Sequence, residues 1–483
     1  MAIDGYVADS DYPSAFHTRF QPTWIDAVLR LRGIDPPREP RGPFTLVDLG
    51  CGDGYGLIAT AVAHPEARFV GIDAMHTHVA RGNALIARLG LPNVALHCAD
   101  FRTAATLPIP RADYVTAQGV LAWVSTANRA ALLDLATRLL RPGGVFAVGY
   151  NALPGWQQVA PFQRLVRLLA QGHAGSPVER FEAAVAQARA SGALASGVFA
   201  WLETLRTRMP ADYFAHEYLD KHWAPCWADE VIRALRARGC SFACEASTVR
   251  LRDDLTLRSA WRAAVASMND VAAREVAIDL FVNRWYRTDL YMRDGNPAED
   301  REHGGDSMSS SAPRAQKGSA SRAQERSVAA ARGRMDSWWR ARASPEQASW
   351  TLDTPAGRVA FDNRAARAIL VTLQAGPARL ADLPGLRAPD LLNAVDALWL
   401  ADLVHPAEPP ADVPHATAFS AALAEGAAAG SATGSAPGSD TGLATGSTPG
   451  KVMNVEVSRF GAFVPLLAED SQRSSAERVS PSG

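Results

Sequence analysis

Lysine is almost absent from this chain. Only Lys221, Lys317 and Lys451 occur in 483 residues, so the positive charge is nearly all arginine. With the abundant alanine this looks like a coding bias, and no function is read into it. Cysteine is scarce as well: Cys51, Cys98, Cys226, Cys240 and Cys244, an odd number with no Cys-x-x-Cys pair. That pattern argues against a disulfide framework and a structural zinc site, and for reduced thiols. No run approaches the ~18 apolar residues that span a bilayer. Residues 1–12 hold three aspartates and no apolar core, unlike a secretory signal. Excess charge of one sign is missing too. Lys+Arg 49 against Asp+Glu 50 gives a net charge of -1, with no global pull toward nucleic acid or an anionic membrane. These absences predict a soluble cytoplasmic protein with no nucleic-acid partner and no stable membrane insertion.

What is present is apolar material for a large core, in a length that predicts two to four domains. Residues 44–150 alternate short apolar runs with helical patterns. The expected strands are Thr45–Leu49, Arg68–Ile72, Val94–Cys98, Asp113–Ala117 and Val145–Gly149. Such alternation implies a parallel sheet covered on both faces, with ligands at the strand C-termini. Residues 156–236 read instead as consecutive helices: Phe162–Gln171, Glu179–Ala190, Val198–Arg208 and Asp229–Arg238. Two later segments, Ser241–Ala246 and Trp285–Met292, read as extended and are expected to return to the sheet as an antiparallel hairpin.

From about Asp294 to Arg334 the chain is Ser, Ala, Arg and Gly without periodicity, as in a flexible linker. Beyond it comes a strand-like Trp350–Phe361, then helix Arg364–Gln374, a short Leu380–Leu383 segment and helix Pro389–Asp402. This order is that of a winged helix. Charge argues against DNA: eight acidic residues and five arginines between Pro345 and Glu408 leave minus three. Residues 425–450 are a Gly/Ala/Ser/Thr/Pro tract that cannot bury enough surface to fold. The resulting plan is a nucleoside-binding domain over 1–155, a helical region over 156–293 whose part from about 240 completes the sheet, a linker over 294–334, a small domain over 335–408, and a low-complexity segment and tail over 409–483.

The chemistry starts at Asp48-x-Gly50-x-Gly52-x-Gly54, which follows a strand and opens a helix. Glycines let a ligand approach the backbone, and the helix N-terminus offers unpaired N–H groups. A dinucleotide turn would carry a third glycine where Tyr55 stands, so that alternative is weaker. Asp73 closes the second strand, where a carboxylate can accept from both ribose hydroxyls. Asp100 closes the third, where it can accept from an adenine amino group with Phe101 beside the ring. Either aspartate alone could be a helix cap. The two together, after a glycine turn, point to a nucleoside.

At these residues the chain resembles class I methyltransferases. It also resembles one family in particular, the rickettsial-type protein-lysine methyltransferases with their methyltransferase regulatory domain. The carriers are Tyr12-Pro13-Ser14, Asp48–Gly54, Phe69–Asp73, Gly119-Val120, Trp123-Val124, Tyr150-Asn151 and Pro154-Gly155-Trp156. In the helical part they are His216–Leu219, Trp223-Ala224-Pro225, Arg284 and Tyr286-Arg287. The resemblance implies an α/β fold: a class I, Rossmann-like doubly wound sheet, an inserted helical regulatory region and a small winged-helix-like C-terminal domain. It implies S-adenosylmethionine as cofactor and lysine side chains of proteins as acceptors. A homodimer is compatible with it.

Departures from the family cluster at Phe20-Gln21, Tyr55-Gly56, Gln118, Leu121-Ala122, Leu153 and Gln157. The reading is therefore that cofactor binding is kept and the acceptor site is remodelled. Cofactor residues are Asp48, Gly50, Gly52, Gly54, Asp73, Asp100, Phe101 and Gln118. Tyr12, Tyr150, Asn151 and Trp156 are the candidates for the acceptor pocket, and no catalytic residue or metal ligand is assigned. His216 and Glu217 read as a structural helix pair. A small-molecule methyltransferase and a non-catalytic cofactor-binding protein stay open beside the protein-lysine enzyme.

Overall fold

The computed structural model describes residues 16–39, 42–192, 196–207, 211–247, 250–295 and 334–409, with single residues at 331 and 418. Tyr12 lies outside the described residues, as do nearly all of the expected linker and of the segment after 409. Helix α1 (Pro22–Leu31) precedes five strands: β1 (Thr45–Leu49), β2 (Arg68–Asp73), β3 (Val94–Cys98), β4 (Ala112–Gln118) and β5 (Leu140–Asn151). Between them lie α2 (Tyr55–Ala63), α3 (His76–Leu89) and α4 (Thr126–Leu139). The strands are near-continuous apolar runs because both faces of a parallel sheet are covered.

Alternation along each strand sends neighbouring residues to opposite faces. Leu46, Phe69, Tyr114 and Ala147 pack under α1, α2 and α3. Val47, Val70, Val115 and Val148 pack under α4. Each such apolar side chain contributes about 1.5–3 kcal/mol when fully buried.

The helical region follows as α5 (Ala160–Ala170), α6 (Pro177–Ala190), α7 (Ser196–Arg206), α8 (Ala211–Leu219) and α9 (Ala228–Arg236). Helices α5 to α8 share their own core, with Phe162, Phe181, Leu202, Phe214 and Tyr218 at its centre. Two last strands, β6 (Cys240–Glu245) and β7 (Tyr286–Arg293), then enter the sheet. The order is β3-β2-β1-β4-β5-β7-β6, with β7 antiparallel to both β5 and β6. The two segments do pair antiparallel, but they are not a hairpin. Helices α10 (Asp253–Thr256), α11 (Ser259–Ala266) and α12 (Val271–Val282) join them, and α12 supplies acids to the buried face of β7.

The strand order reverses at β1 and β4, and at such a switch point the loops diverge and leave a crevice. The C-terminal part has helices Arg364–Gln374 and Ala388–Leu400, a two-stranded hairpin (Thr351–Thr354 with Gly357–Ala360) and a three-stranded sheet. Strands Trp338–Ala341 and Val404–Ala407 of that sheet have no counterpart in the sequence reading. This part docks on α1: Trp24 meets Trp399 edge-to-face at 5.0 Å, and Arg38 bonds both Asp26 and Glu408. Among the described residues no helix is long and apolar enough to cross a membrane.

Candidate functional site

The glycine turn sits at the crevice. Gly50, Gly52 and Gly54 all have positive φ (83°, 58° and 70°), a region that L side chains rarely adopt. Space separates them. A Cβ on Gly50 would lie 2.3 Å from Val120 Cγ2, and one on Gly54 2.8 Å from Leu96 Cδ1. A Cβ on Gly52 would meet nothing within 4 Å. Two glycines thus serve close packing, while the third borders open space.

Asp73 braces this turn. Its Oδ2 accepts from Gly52 N and its Oδ1 from Met75 N, both at 2.8 Å. Burial holds its carboxyl above the ordinary value, against the pull of those two N–H groups. Each oxygen keeps a second lone pair for a ligand hydroxyl. Asp48, one strand inward, accepts from Thr116 Oγ1 at 2.7 Å. Burial pushes it up to about 6, with the Thr116 hydroxyl working the other way.

Asp100 is first of all a cap. Its Oδ1 accepts from Thr103 N (2.7 Å), Thr103 Oγ1 (2.9 Å) and Arg102 N (2.9 Å), and the Thr103 N–H leads in holding its carboxyl below the usual range. Only Oδ2, 3.4 Å from Arg102 Nη2, is left for another donor. Phe101 is buried beside Val70 and Ile72. Gln118 ends β4 and donates from Nε2 to Tyr286 Oη at 3.2 Å. A Cβ on neighbouring Gly149 would lie 2.1 Å from Tyr286 Oη and 2.6 Å from Phe20 Cζ. Gly149 therefore lets Tyr286 and Phe20 close over β5. An open left-handed glycine, an acid with free lone pairs and an apolar ring on one edge fit a nucleoside.

The acceptor-side candidates divide. Tyr150 faces away from Gly149 and Asn151 by strand alternation, is fully buried, and donates to Asp289 Oδ2 at 2.6 Å. Its hydroxyl is spent in the interior and not in a pocket, which corrects the sequence expectation. Arg287 is the hub there. It bonds Asp279 (2.8 and 2.9 Å), Asp289 (2.9 Å) and Glu275 (3.0 Å), and Glu275 also accepts from Arg250 at 2.9 Å. The sequence reading named Arg287 but missed these three acids. A charged Arg-Thr-Asp inside an otherwise buried strand was the available signal.

Asn151 and Trp156 do stand at the C-terminal edge of β5. Asn151 donates from Nδ2 to Glu217 Oε1 at 3.4 Å, and its carbonyl accepts from Cys226 N at 2.9 Å. The segment around Cys226 lies along that edge, with Leu153 N donating to Cys226 O and Ala224 N to Ala122 O. Trp156 meets Trp285 at 5.3 Å, Trp223 at 5.5 Å and Trp201 at 6.4 Å. Burial pushes Glu217 up to about 8, with the hydrogen bonds from Asn151 and Tyr213 opposing and Asp220 adding to the rise.

Comparison with known proteins agrees with this geometry. Residues 46–144 match the sequence model of a "Methyltransferase domain", and residues 210–293 that of a "Predicted methyltransferase regulatory domain". An uncharacterised protein of Synechocystis sp. is 25% identical over 306 residues, covering 62% of this chain and 60% of that protein. The chain thus spans about three fifths of that relative. A trans-aconitate 2-methyltransferase of Methylobacterium nodulans is 38% identical over 106 residues, 22% of this chain and 38% of that enzyme. Among solved structures, PKMT2 from Rickettsia typhi in complex with AdoHcy superposes with a TM-score of 0.59 at 18% identity, covering 82% of this chain and 77% of that one. The chain therefore joins a class I, Rossmann-like methyltransferase domain, whose cofactor is S-adenosylmethionine, to a methyltransferase regulatory domain.

Proposed function

We propose that the protein transfers a methyl group from S-adenosylmethionine to the side-chain amine of lysine in a protein. The observation that carries it is the edge of β5, where the Asn151 amide bonds the Glu217 carboxyl and, five residues further on, Trp156 packs with Trp223 and Trp285. An amine can donate to the first two and pack its alkyl stem on the third. An acid of the trans-aconitate kind would meet the Glu217 carboxyl there. The 38% likeness to that enzyme covers 22% of this chain and 38% of that enzyme.

When bound, the cofactor supplies a methyl group on sulfonium, a good leaving group. The chain's own residues then have to align the reactants and keep water out. Gly52, and Gly119 at the end of β4, leave open space, and Asp73 would accept from the ribose hydroxyls. Phe101 would pack on the adenine, and Asp100 Oδ2 would accept from its amino group. Gln118 and Tyr286, with Phe20 across Gly149, close the other side. Burial at the acceptor edge disfavours the ammonium form, which must lose a proton before it can attack.

The test is labelled S-adenosylmethionine with an extract from cells lacking the protein, followed by mass spectrometry of methylated lysines. Label in protein lysines supports the proposal. Label only in small molecules assigns the enzyme to those, and cofactor binding without transfer removes the activity altogether.

A further inference from the structure

Glu217 differs from the other buried carboxyls close to β7. Glu245, Glu275, Asp279 and Asp289 each face Arg250, Arg284 or Arg287. Glu217 is 5% exposed, and the groups that face it are the Asn151 amide from β5, the Tyr213 hydroxyl and Tyr218 from its own helix, and the Asp220 carboxyl just beyond. None of these is a cation. A charged carboxyl without a cation in a dry site is costly, and a cation from outside removes that cost. A second observation points the same way. Trp156 is 7% exposed, yet its indole N–H has no hydrogen-bond partner, and neither do those of Trp223 and Trp285 packed against it. The indole N–H groups of Trp339 and Trp399 in the C-terminal part lack a partner as well, so what points to a ligand is that three such donors gather in one cluster with the Trp201 N–H beside them.

We propose that Glu217 is a positioning residue for the acceptor amine: it holds the Asn151 amide at the end of β5 and supplies the negative charge that draws an alkylammonium in beside the tryptophan cluster. With Nδ2 of Asn151 held by Glu217 and its backbone carbonyl taken by the Cys226 N–H, the side-chain oxygen Oδ1 is the atom left to accept from the amine. The indole rings take the alkyl stem and favour a cation at their faces. The helix named for regulation thus contributes to the acceptor site itself. This inference rests on the reading of the chain as an amine methyltransferase. Because burial already pushes Glu217 up to about 8, an alkylammonium that restores its charge drives a proton off near neutral pH.

The test uses the full chain saturated with S-adenosylhomocysteine and n-butylammonium chloride as probe, with n-butanol and n-valerate as controls. Calorimetry at pH 7 in two buffers of different ionisation enthalpy reads affinity and proton release together. Butylammonium is expected to bind with proton release, and the controls to bind weakly. In Glu217→Gln the affinity falls about tenfold or more and the proton release disappears. The Gln side chain keeps the shape and one acceptor, and an unchanged affinity for S-adenosylhomocysteine confirms that the variant is folded. Asn151→Ala weakens the probe as well, and adding it to Glu217→Gln costs less than the sum. Unchanged affinity and proton release in Glu217→Gln, or tighter binding of valerate than of butylammonium, overturns the inference. Methylated lysines in cells are scored separately. If they appear while Glu217→Gln binds the probe normally, only the role of Glu217 falls. If they are absent and valerate binds, the amine reading falls with it.

Discussion

The proposed cofactor residues come mostly from one stretch of chain, residues 48–118, whereas the proposed acceptor end gathers Asn151, Trp156, Glu217, Trp223 and Trp285. At the first, short-range turns do the work: Asp73 reaches Gly52 across one crossover, and Asp100 caps the next turn along. At the second, contacts span long intervals, such as Asn151 with Glu217 and Trp156 with Trp285. Local backbone geometry defines the one and long-range side-chain chemistry the other. A change of acceptor can therefore leave the nucleoside site untouched.

The sharpest way to break this contrast is Arg287→Met. It leaves Asp279, Asp289 and Glu275 without their shared cation, and a stability loss of about 3–5 kcal/mol is expected by urea denaturation. A small loss would mean that the buried face of β7 is not held together by this hub. Next comes Asp73→Ala. Removing an acid that braces the turn and is proposed to accept from the ribose is expected to weaken S-adenosylmethionine about 10–100-fold by calorimetry. Unchanged affinity would sink the nucleoside assignment.

The two ends also differ in how they titrate. A carboxyl raised by burial holds its proton more tightly in the folded chain. Its stabilising contribution is complete below the unfolded pKa and is lost as pH rises through the folded one. For Asp48 that window runs from 3.8 to about 6, and for Glu217 from 4.5 to about 8. Thermal midpoints against pH should lose the lower slope in Asp48→Asn and the upper one in Glu217→Gln. If both variants alter the same window, the two ends are not electrostatically separate. The smallest effect is expected for Ser125→Ala, which removes the N-cap of α4. A cost of about 1 kcal/mol with unchanged cofactor affinity is the expected result.

Much of the sheet was legible because parallel strands buried on both faces stand out as apolar runs. β1 and β3 fall on the expected residues, and β2, β4 and β5 extend them. Both later extended segments enter the sheet, but the intervening helices hid their pairing from a hairpin reading. The glycine turn after β1 was legible for a local reason: its three left-handed glycines alternate over five residues, and the acid that braces it ends the next strand. Tyr150 went wrong because alternation shows that two residues face apart without showing which face carries the ligand. Glu217 read as a structural helix residue because its partner, Asn151, is 66 positions away. Trp338–Ala341 is four residues long, too short for any periodicity to register.

The docking of the C-terminal part on α1 has a consequence for the order in which the chain assembles. Asp26 on α1 receives the hydroxyl of Tyr114 from the middle of β4 and the guanidinium of Arg38, and Arg38 in turn holds Glu408. The first described helix is therefore clasped by one of the last described residues. During synthesis, β1 to β5 emerge with β7 still to come and with Trp24 uncovered until Trp399 arrives. Vectorial synthesis from the N-terminus leaves β5 without its neighbour until β7 has been made. Completion of the fold coincides with completion of the clasp, so a ribosome that stops early releases a chain with an exposed strand edge and an exposed tryptophan, both handles for quality control.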